Sequence, residues 1–284
     1  MSTVAIVPAR GGSKNLPRKN LALLGGHPLV AWSIRAALAS DSVDRVVVSS
    51  DDEEILTVGS LYGAEPIARP RHLATDVATS EGLVIHALDM LGSKSAKFET
   101  VVLLQPTSPL RTDVDVDAAL ELRIREDADA VISVYEPTHS PFKAFYQDPA
   151  GHLCPVAGKG LPFVSRQSLP RAYMPNGAIY VVQTAEFRRR RQFLGERTLP
   201  YVMPIERSID IDDEEDLRHA SRVIDTLGLS LPRFHNTPSM AAKAARESVA
   251  ALEFLEESVR PGDLLDFAAD LFDHEELLAG GRGR

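Results

Sequence analysis

Three absences limit the kinds of protein that this 284-residue chain can be. No apolar run approaches the roughly 18 residues that a membrane-spanning helix needs. The one cysteine, Cys154, excludes an intrachain disulfide and any metal site built from several thiolates. Basic residues are also in deficit, because 31 Lys and Arg oppose 40 Asp and Glu and give a net charge of −9.

These absences predict the location and the partners. The first residues enter a strand-like run without a signal-peptide pattern, and a lone thiol suits a reducing compartment, so we expect a cytoplasmic protein. Binding to nucleic acid requires a basic surface, which the acidic balance argues against. We therefore expect small-molecule partners, and neither nucleic acid nor a membrane.

Apolar runs alternate with helical periodicity over the first 134 residues. Continuous apolar strands separated by helices are typical of an α/β protein with a mostly parallel, doubly wound sheet. The predicted strands are Val4–Val7, Val46–Ser49, Val101–Leu104 and Ala130–Val134. The predicted helices cover about residues 28–39, 52–62, 80–91 and 113–125.

The pattern changes after residue 134. Residues 135–183 are rich in proline, glycine and aromatic residues, so we expect short antiparallel strands or a lobe folded over the sheet edge. A strand at Tyr201–Met203 and a helix from about 213 to 227 then complete a domain spanning residues 1–228. Residues 229–284 form an acidic extension with two amphipathic helical patterns, which fits a packed hairpin, an oligomerisation element or a mobile appendage.

The most informative segment is the loop after the first strand, IVPARGGSKNLPRKN. Glycines let backbone N–H groups approach an anion, and the strand end lies at the ligand-binding edge of such a sheet. The spacing matches neither the G-x-x-x-x-G-K-[ST] phosphate loop nor the G-x-G-x-x-G dinucleotide loop. We interpret the loop as a polyphosphate site, with an ordinary solvated surface loop as the alternative. Its candidate residues are Arg10, Gly11, Gly12, Ser13 and Lys14.

Polar residues follow other strands as well. Asp51 and Asp52 end the second strand, where Asp52 is favoured as a helix cap. Gln105 ends the third strand, at the edge where a ligand would bind. Asn176 precedes Gly177, and this pair either belongs to the site or forms a tight turn.

The segment Ser208-Ile-Asp-Ile-Asp-Asp213 carries a candidate metal site. Side chains alternate along an extended chain, so Asp210 and Asp212 would project to the same side. Carboxylate oxygens are hard ligands that suit Mg²⁺, whose remaining positions are commonly filled by water and substrate phosphates. The alternative is that these aspartates cap the next helix, a role that we expect for Asp213 alone.

Taken in order, these motifs resemble those of the acylneuraminate cytidylyltransferases, the CMP-sialic acid synthetases. The resemblance covers about residues 1–228 and rests on IVPARGGSKNLPRKN, VVVSSDDEEI, RPRHLATD, TSEGLVIHAL, LLQPTSPLR, SPFK, SRQSLP, PNGAIYV and SIDIDDEEDL. It implies a Rossmann-like nucleotidyltransferase fold with a dimerisation lobe, and a homodimer. It also implies transfer of CMP from CTP to an acidic nonulosonic sugar, with Mg²⁺ as cofactor and pyrophosphate as the second product.

The resemblance assigns roles to individual residues. Arg10 and Lys14 would hold the triphosphate near Asn20, while Arg69 and Ser80 would recognise the nucleotide. The acceptor side would comprise Gln105, Lys143, Arg166 and Asn176. Asp210 and Asp212 would bind the metal, which makes Arg10, Lys14 and Asp212 the catalytic group.

Two departures leave the acceptor open. Met174 stands where many relatives carry arginine, and the acidic extension lies outside the resemblance. A sialic-acid-like acceptor is therefore our first hypothesis, and legionaminic acid, pseudaminic acid or a phosphonate such as phosphonoformate are alternatives. A nucleotide-binding regulator without catalysis is a third reading, and the extension would allow a partner-binding role besides catalysis.

Overall fold

The computed structural model describes residues 2–75, 77–92 and 97–232. Its strands are β1 (Thr3–Pro8), β2 (Leu23–Leu24), β3 (His27–Pro28), β4 (Arg45–Ser50), β5 (Glu65–Ala68), β6 (Thr100–Leu103), β7 (Ala130–Tyr135), β8 (Phe145–Gln147), β9 (Leu153–Pro155), β10 (Met174–Gln183) and β11 (Thr198–Val202). Its α-helices are α1 (Leu29–Ala39), α2 (Glu53–Leu61), α3 (Ser80–Met90), α4 (Asp113–Arg125), α5 (Thr184–Arg190) and α6 (Glu214–Leu227).

Seven strands form the central sheet, in the order β11-β7-β10-β6-β1-β4-β5. Strand β1 pairs in parallel with both β4 and β6, and β5 extends the parallel part beyond β4. The chain builds outward from β1 through β4 to β5, then returns to place β6 on the other side of β1. Ligands bind at such a reversal, outside the carboxyl ends of the strands.

Helices cover both faces of the sheet, as expected for a doubly wound fold. Apolar side chains of α1, α2 and α4 pack on one face, and those of α3 and α5 pack on the other. The β1 residues Val4, Ala5, Ile6 and Val7 have no exposed surface, which explains their uninterrupted apolar sequence. A third cluster joins α6 and the start of α1 through Trp32, Ile211 and Ile224.

Side-chain caps account for where several helices begin. Asp52 accepts hydrogen bonds from the backbone N–H groups of Glu54 and Ile55, which confirms its predicted capping role at α2. Asp213 caps α6 in a capping box completed by Asp216, as expected for Asp213 alone among the clustered aspartates.

The predicted irregular segment 135–183 requires a correction, because its last ten residues form β10 in the middle of the sheet. Strand β10 runs antiparallel to both β6 and β7. The proline and glycine that suggested irregularity lie at a shift of register between Pro175 and Tyr180, where Gly177 has φ +74°. Pairing with β7 is regular from Tyr180 onward, and Ala178, Ile179, Val181 and Val182 are all buried.

The lobe is therefore confined to about residues 136–173. It contains the hairpin of β8 and β9 and three short 3-10 helices, Pro141–Lys143, Leu161–Phe163 and Arg166–Ser168. Strand β5 is an element that the sequence pattern did not predict, because its 4 residues present too few periods to be recognised. The basic run at 188–191, which the sequence indicates is a solvated helix end, does form the end of α5.

The core continues slightly beyond its predicted end at residue 228. Leu229 and Leu231 pack against the apolar clusters, and Arg35 Nε donates a hydrogen bond of 2.9 Å to the carbonyl of Pro232. The predicted helices of the acidic extension lie outside the described residues. Within the described part of the chain, no helix is long and apolar enough to cross a membrane.

Candidate active site

A cleft of about 310 Å³ opens at the reversal in strand order, where β1 and β6 end side by side. It combines residues from the loop after β1, the start of α3, the loop after β6 and the acidic segment before α6. The described lining residues are Pro8, Arg10, Gly12, Ser13, Lys19, Asn20, Arg69, Leu73, Ala74, Thr75, Ala78, Ser80, Leu83, Gln105, Pro106, Thr107 and Asp212. Six of the eight predicted nucleotide-binding residues are among them.

The two glycines of the loop have different surroundings. Gly11 donates its backbone N–H to Asp51 Oδ1 at 3.1 Å, and a Cβ added to Gly11 would lie 2.6 Å from Asp52 Oδ2. Gly11 is thus required for close contact between the loop and the end of β4. Gly12 meets no atom within 4 Å of such a Cβ and borders the cleft. Gly11, which was predicted to contact the polyphosphate, therefore packs against the end of β4 and supports the loop.

Arg10 and Ser13 line the cleft, and Asn20 fixes the loop that carries them. The Asn20 side chain is buried, and its Nδ2 donates to the carbonyl of Arg10 at 2.8 Å. Its Oδ1 is buried without a hydrogen-bond partner among the described residues, so an acceptor remains at the cleft wall. Lys14 is exposed and does not border the cleft in this conformation.

Arg69 and Ser80 also line the cleft. The Arg69 side chain is 3% exposed, and its Nη2 lies 4.0 Å from Asp51 Oδ1. Burial lowers the pKa of Arg69, Asp51 opposes this shift, and the nearby Arg10 adds to it. Among the residues that the structure describes, the buried Nε of Arg69 has no acceptor, which suits a ligand oxygen. Ser80 is the first residue of α3, so the start of that helix borders the cleft.

The acidic segment adopts the predicted alternation without joining the sheet. Ile209 and Ile211 are buried, whereas Asp210 and Asp212 are exposed on the other side. The backbone N–H of Ile211 donates to the carbonyl of Thr107 at 2.7 Å, which ties the segment to the loop after β6. Lys19 Nζ donates to the carbonyl of Ile211 and to Asp212 Oδ1, both at 2.9 Å.

The charge of Asp212 acts on the neighbouring Asp210. Desolvation by the surrounding protein raises the pKa of Asp210, and the negative charge of Asp212 raises it further. A hydrogen bond from Thr107 opposes this shift. The described residues contain no cluster of three or more His, Cys, Asp or Glu arranged to hold a metal. A cation bound by this pair would need further oxygen ligands from water or substrate.

Gln105 lines the cleft as predicted, and hydrogen bonds to its backbone carbonyl fix its position. The buried Arg111 donates to the carbonyl of Gln105 and, at 2.5 Å, to Ser33 Oγ. Gly177 lies against the Gln105 side chain, because a Cβ at Gly177 would come within 2.7 Å of Gln105 Oε1. The predicted turn at Asn176-Gly177 is thus a bulge in β10 that lets the strand pass the loop after β6.

Three predicted acceptor residues are not brought to the cleft. Asn176 is 3% exposed, and protein partners occupy its amide: Oδ1 accepts from Ser133 Oγ at 2.6 Å, and Nδ2 donates to Ser208 Oγ at 2.9 Å. Asn176 therefore holds β10, β7 and the acidic segment together instead of facing a ligand. Lys143 and Arg166 are exposed on the lobe, away from the cleft of their own chain.

The sequence reading missed two contributors to the site. Lys19 stands inside the quoted loop motif, but only the folded chain shows that it reaches Asp212. The wall formed by residues 73–75 and 78 was not predicted, because small and apolar residues give no chemical signal.

Comparison with known proteins agrees with this geometry. Residues 4–218 match the model of a family described as Cytidylyltransferase. The chain belongs to the cytidylyltransferase family. It is 36% identical over 220 residues to the N-acylneuraminate cytidylyltransferase of Escherichia coli O18:K1:H7, covering 76% of this chain and 51% of the relative. The chain thus spans about half the length of that family member.

A second sequence relative and a solved structure extend the comparison. The CMP-N,N'-diacetyllegionaminic acid synthase of Legionella pneumophila is 36% identical over 219 residues, which cover 76% of this chain and 93% of the relative. A solved CMP:2-keto-3-deoxy-manno-octonic acid synthetase, complexed with CTP, superposes with a TM-score of 0.60. It shares 16% identity and covers 80% of this chain and 100% of its own, which shows a common nucleotidyltransferase fold.

The buried network at Asn176 generates a prediction. Asn176→Ala should lower the free energy of unfolding by about 2 kcal/mol, because it removes the acceptor of the buried Ser133 hydroxyl and of the Ala178 backbone N–H. Urea denaturation measures this loss, with the exposed Gln167→Ala as the control amide. Unchanged stability combined with selective loss of acceptor affinity would restore Asn176 to the acceptor site.

Proposed function

We propose that this protein transfers CMP from CTP to an acidic acceptor and releases pyrophosphate. The observation that carries the proposal is a single cleft at the switch in strand order that joins a basic loop to an acidic segment. Arg10 and Ser13 of the loop and Asp212 of the acidic segment all line it. The family match supports the same chemistry, and a nonulosonic acid is the acceptor class that the named relatives favour.

The arrangement of charge suits a nucleoside triphosphate. The whole chain has a net charge of −9, yet the cleft contains Arg10, Lys19 and Arg69. Phosphoryl-type transfer depends mainly on positioning and on neutralising charge at the reacting phosphate. No histidine or cysteine occurs among the described lining residues, so these cations would perform most of the catalytic stabilisation. Lys14, on the same loop, would reach the triphosphate after a change in its side-chain position.

The residues present fit Mg²⁺. Lys19 occupies only Oδ1 of Asp212, which leaves Oδ2 of that carboxylate for a cation. We propose that Asp210 and Asp212 hold the ion, together with water and phosphate oxygens, as is usual for this metal. When bound, Mg²⁺ would offset negative charge on the triphosphate and on the departing pyrophosphate.

An acceptor screen tests the proposed reaction. We expect pyrophosphate release from CTP with a sialic, legionaminic or pseudaminic acid, at a rate that rises toward alkaline pH because the attacking hydroxyl must lose its proton. Phosphonoformate, which is already ionised at neutral pH, should give little turnover and a flatter profile. A preference for the phosphonate would change the acceptor class. Absence of turnover with every acid would leave a nucleotide-binding protein without this activity.

Asp212→Ala tests the metal assignment. The variant should lose at least about 100-fold in kcat with CTP and Mg²⁺, since one charged ligand is removed. Its affinity for CTP without Mg²⁺, measured by calorimetry, should change little. Asp213→Asn, which keeps a capping side chain beside the site, is the matched control. A wild-type rate for Asp212→Ala at saturating Mg²⁺ would contradict the assignment.

We further propose a cytoplasmic homodimer that pairs through the lobe. The lone Cys154 favours a reducing compartment. The lobe exposes a concentration of large apolar side chains, which commonly marks an interface. The exposed fractions are Phe145 43%, Tyr146 56%, Leu153 71%, Val156 60% and Phe163 84%. Pairing would also give Lys143 and Arg166 a route to an acceptor that their own cleft does not provide.

A charge placed on the lobe tests the dimer. Phe163→Glu should shift the protein toward monomer in sedimentation velocity, because the interface would have to bury an unpaired carboxylate. Leu194→Glu changes a residue that is 64% exposed outside the lobe and should leave the assembly unchanged. If wild type is monomeric at all accessible concentrations, or if both variants behave alike, the lobe is not the interface.

A further inference from the structure

A buried ion pair stands behind the acidic segment and outside the cleft. Arg207 donates from Nη1 to Asp115 Oδ2 and, at 3.1 Å, from Nη2 to Asp115 Oδ1. Tyr201 donates its hydroxyl to the same Oδ1 at 2.9 Å. Thr112 donates to Oδ2 from its backbone N–H at 2.8 Å and from its hydroxyl at 2.9 Å. One carboxylate thus joins α4, β11 and the segment before α6.

The pair is nearly removed from solvent. The side chains of Arg207 and Asp115 are 18% and 5% exposed. Burial alone would raise the pKa of Asp115, but hydrogen bonds from Arg207 and Thr112 outweigh it and hold that pKa below its usual value. The two-pronged guanidinium contact fixes direction as well as distance, which a lysine ammonium would not do.

Arg207 lies three residues before Asp210, and the intervening chain is fixed at several points. Residues Ile205–Arg207 form one turn of 3-10 helix. The next residue, Ser208, donates its hydroxyl to the carbonyl of Pro204 at 2.9 Å and accepts a hydrogen bond from Asn176. Beyond it, the N–H of Ile211 bonds to Thr107. The backbone from Arg207 to Asp212 therefore has little conformational freedom while the ion pair with Asp115 fixes Arg207.

We propose that Asp115 and Arg207 are positioning residues that fix Asp210 and Asp212 for their part in nucleotide binding. The inference rests on the proposed function, because it assigns the pair a role in the same site. Neither residue lines the cleft, so their effect passes through the backbone of residues 208–212. Groups that orient metal-binding side chains commonly contribute about 10- to 100-fold to metal affinity.

A purely stabilising ion pair is the competing explanation, and the chain offers a matched control for it. Arg190, at the end of α5, pairs with Glu186 at 2.9 Å and is 22% exposed, close to the value for Arg207. It lies outside the cleft lining. Arg190→Met and Arg207→Met remove the same group at similar burial, so a general loss of stability should appear in both.

Calorimetric titration of CTP, with and without Mg²⁺, provides a readout that does not depend on turnover. In wild type we expect Mg²⁺ to strengthen CTP binding. Arg207→Met should reduce that gain by about tenfold while CTP affinity without Mg²⁺ stays within about twofold. Arg207→Lys should recover only part of the gain, and Arg190→Met should retain all of it. Equal gains in wild type and Arg207→Met would overturn the inference.

Tyr201→Phe keeps the test decisive if Arg207→Met does not fold. It removes one hydrogen bond to Asp115 with little change in volume and should reduce the Mg²⁺ gain by about two- to threefold. Hydrogen–deuterium exchange should show a faster amide at Ile211, and unchanged exchange with an unchanged gain would contradict the proposal. If wild type itself shows no Mg²⁺ gain, the metal assignment fails together with this inference. A wild-type gain that survives in every variant removes the inference alone.

Discussion

The rest of the structure depends on strand β1 being hydrogen-bonded on both edges and buried on both faces. Its parallel pairing with β4 and β6 places the ends of all three strands at one edge of the sheet. Because β1 lies where the strand order reverses, the loops after β1 and β6 diverge to opposite sides and leave a cleft between them. The basic loop and the Gln105 loop therefore face each other as a consequence of topology, before any contact between their side chains is considered.

The cleft also depends on acidic side chains that hold its cations in place. Asp51 approaches both the N–H of Gly11 and the guanidinium of Arg69, so acidic groups at the end of β4 support the basic wall. Lys19, in the segment after β1, forms an ion pair with Asp212. In a chain with excess acid, these contacts hold cations at the one edge where a polyphosphate would bind. Arg69 Nε and Asn20 Oδ1 are buried without hydrogen-bond partners in the described part of the chain, and a bound ligand would supply such partners.

Much of this arrangement could be predicted from sequence because its signals are local. The buried run of β1, the capping aspartates and the bounds of α4 all depend on residues within a few positions of one another. The alternation of Ile209, Asp210, Ile211 and Asp212 is equally local, and the structure preserves it outside any strand.

The parts that escaped prediction depend on contacts between distant segments. Strand β10 contains a bulge whose glycine is needed both for its positive φ and because Gln105 and Ser108 lie against it. Asn176 has the composition of a ligand-binding amide, yet its partners come from β7 and from residues near 208. The ion pair of Asp115 and Arg207 spans 92 positions of sequence, and neither residue stands out in a motif.

The two halves of the proposed reaction differ in how they are built. Residues expected to bind CTP project from the rigid sheet edge, and six of them line one cleft. Of the residues expected on the acceptor side, Gln105 lines the cleft, whereas Lys143 and Arg166 lie on the lobe. Met174, the first residue of β10 after the lobe, is 38% exposed. If the core fixes the nucleotide site and the lobe carries the acceptor contacts, as proposed, the acceptor could change without disturbing the sheet. Such a division would explain why the sequence motifs specify cytidylyl transfer more firmly than they specify the acid that receives it.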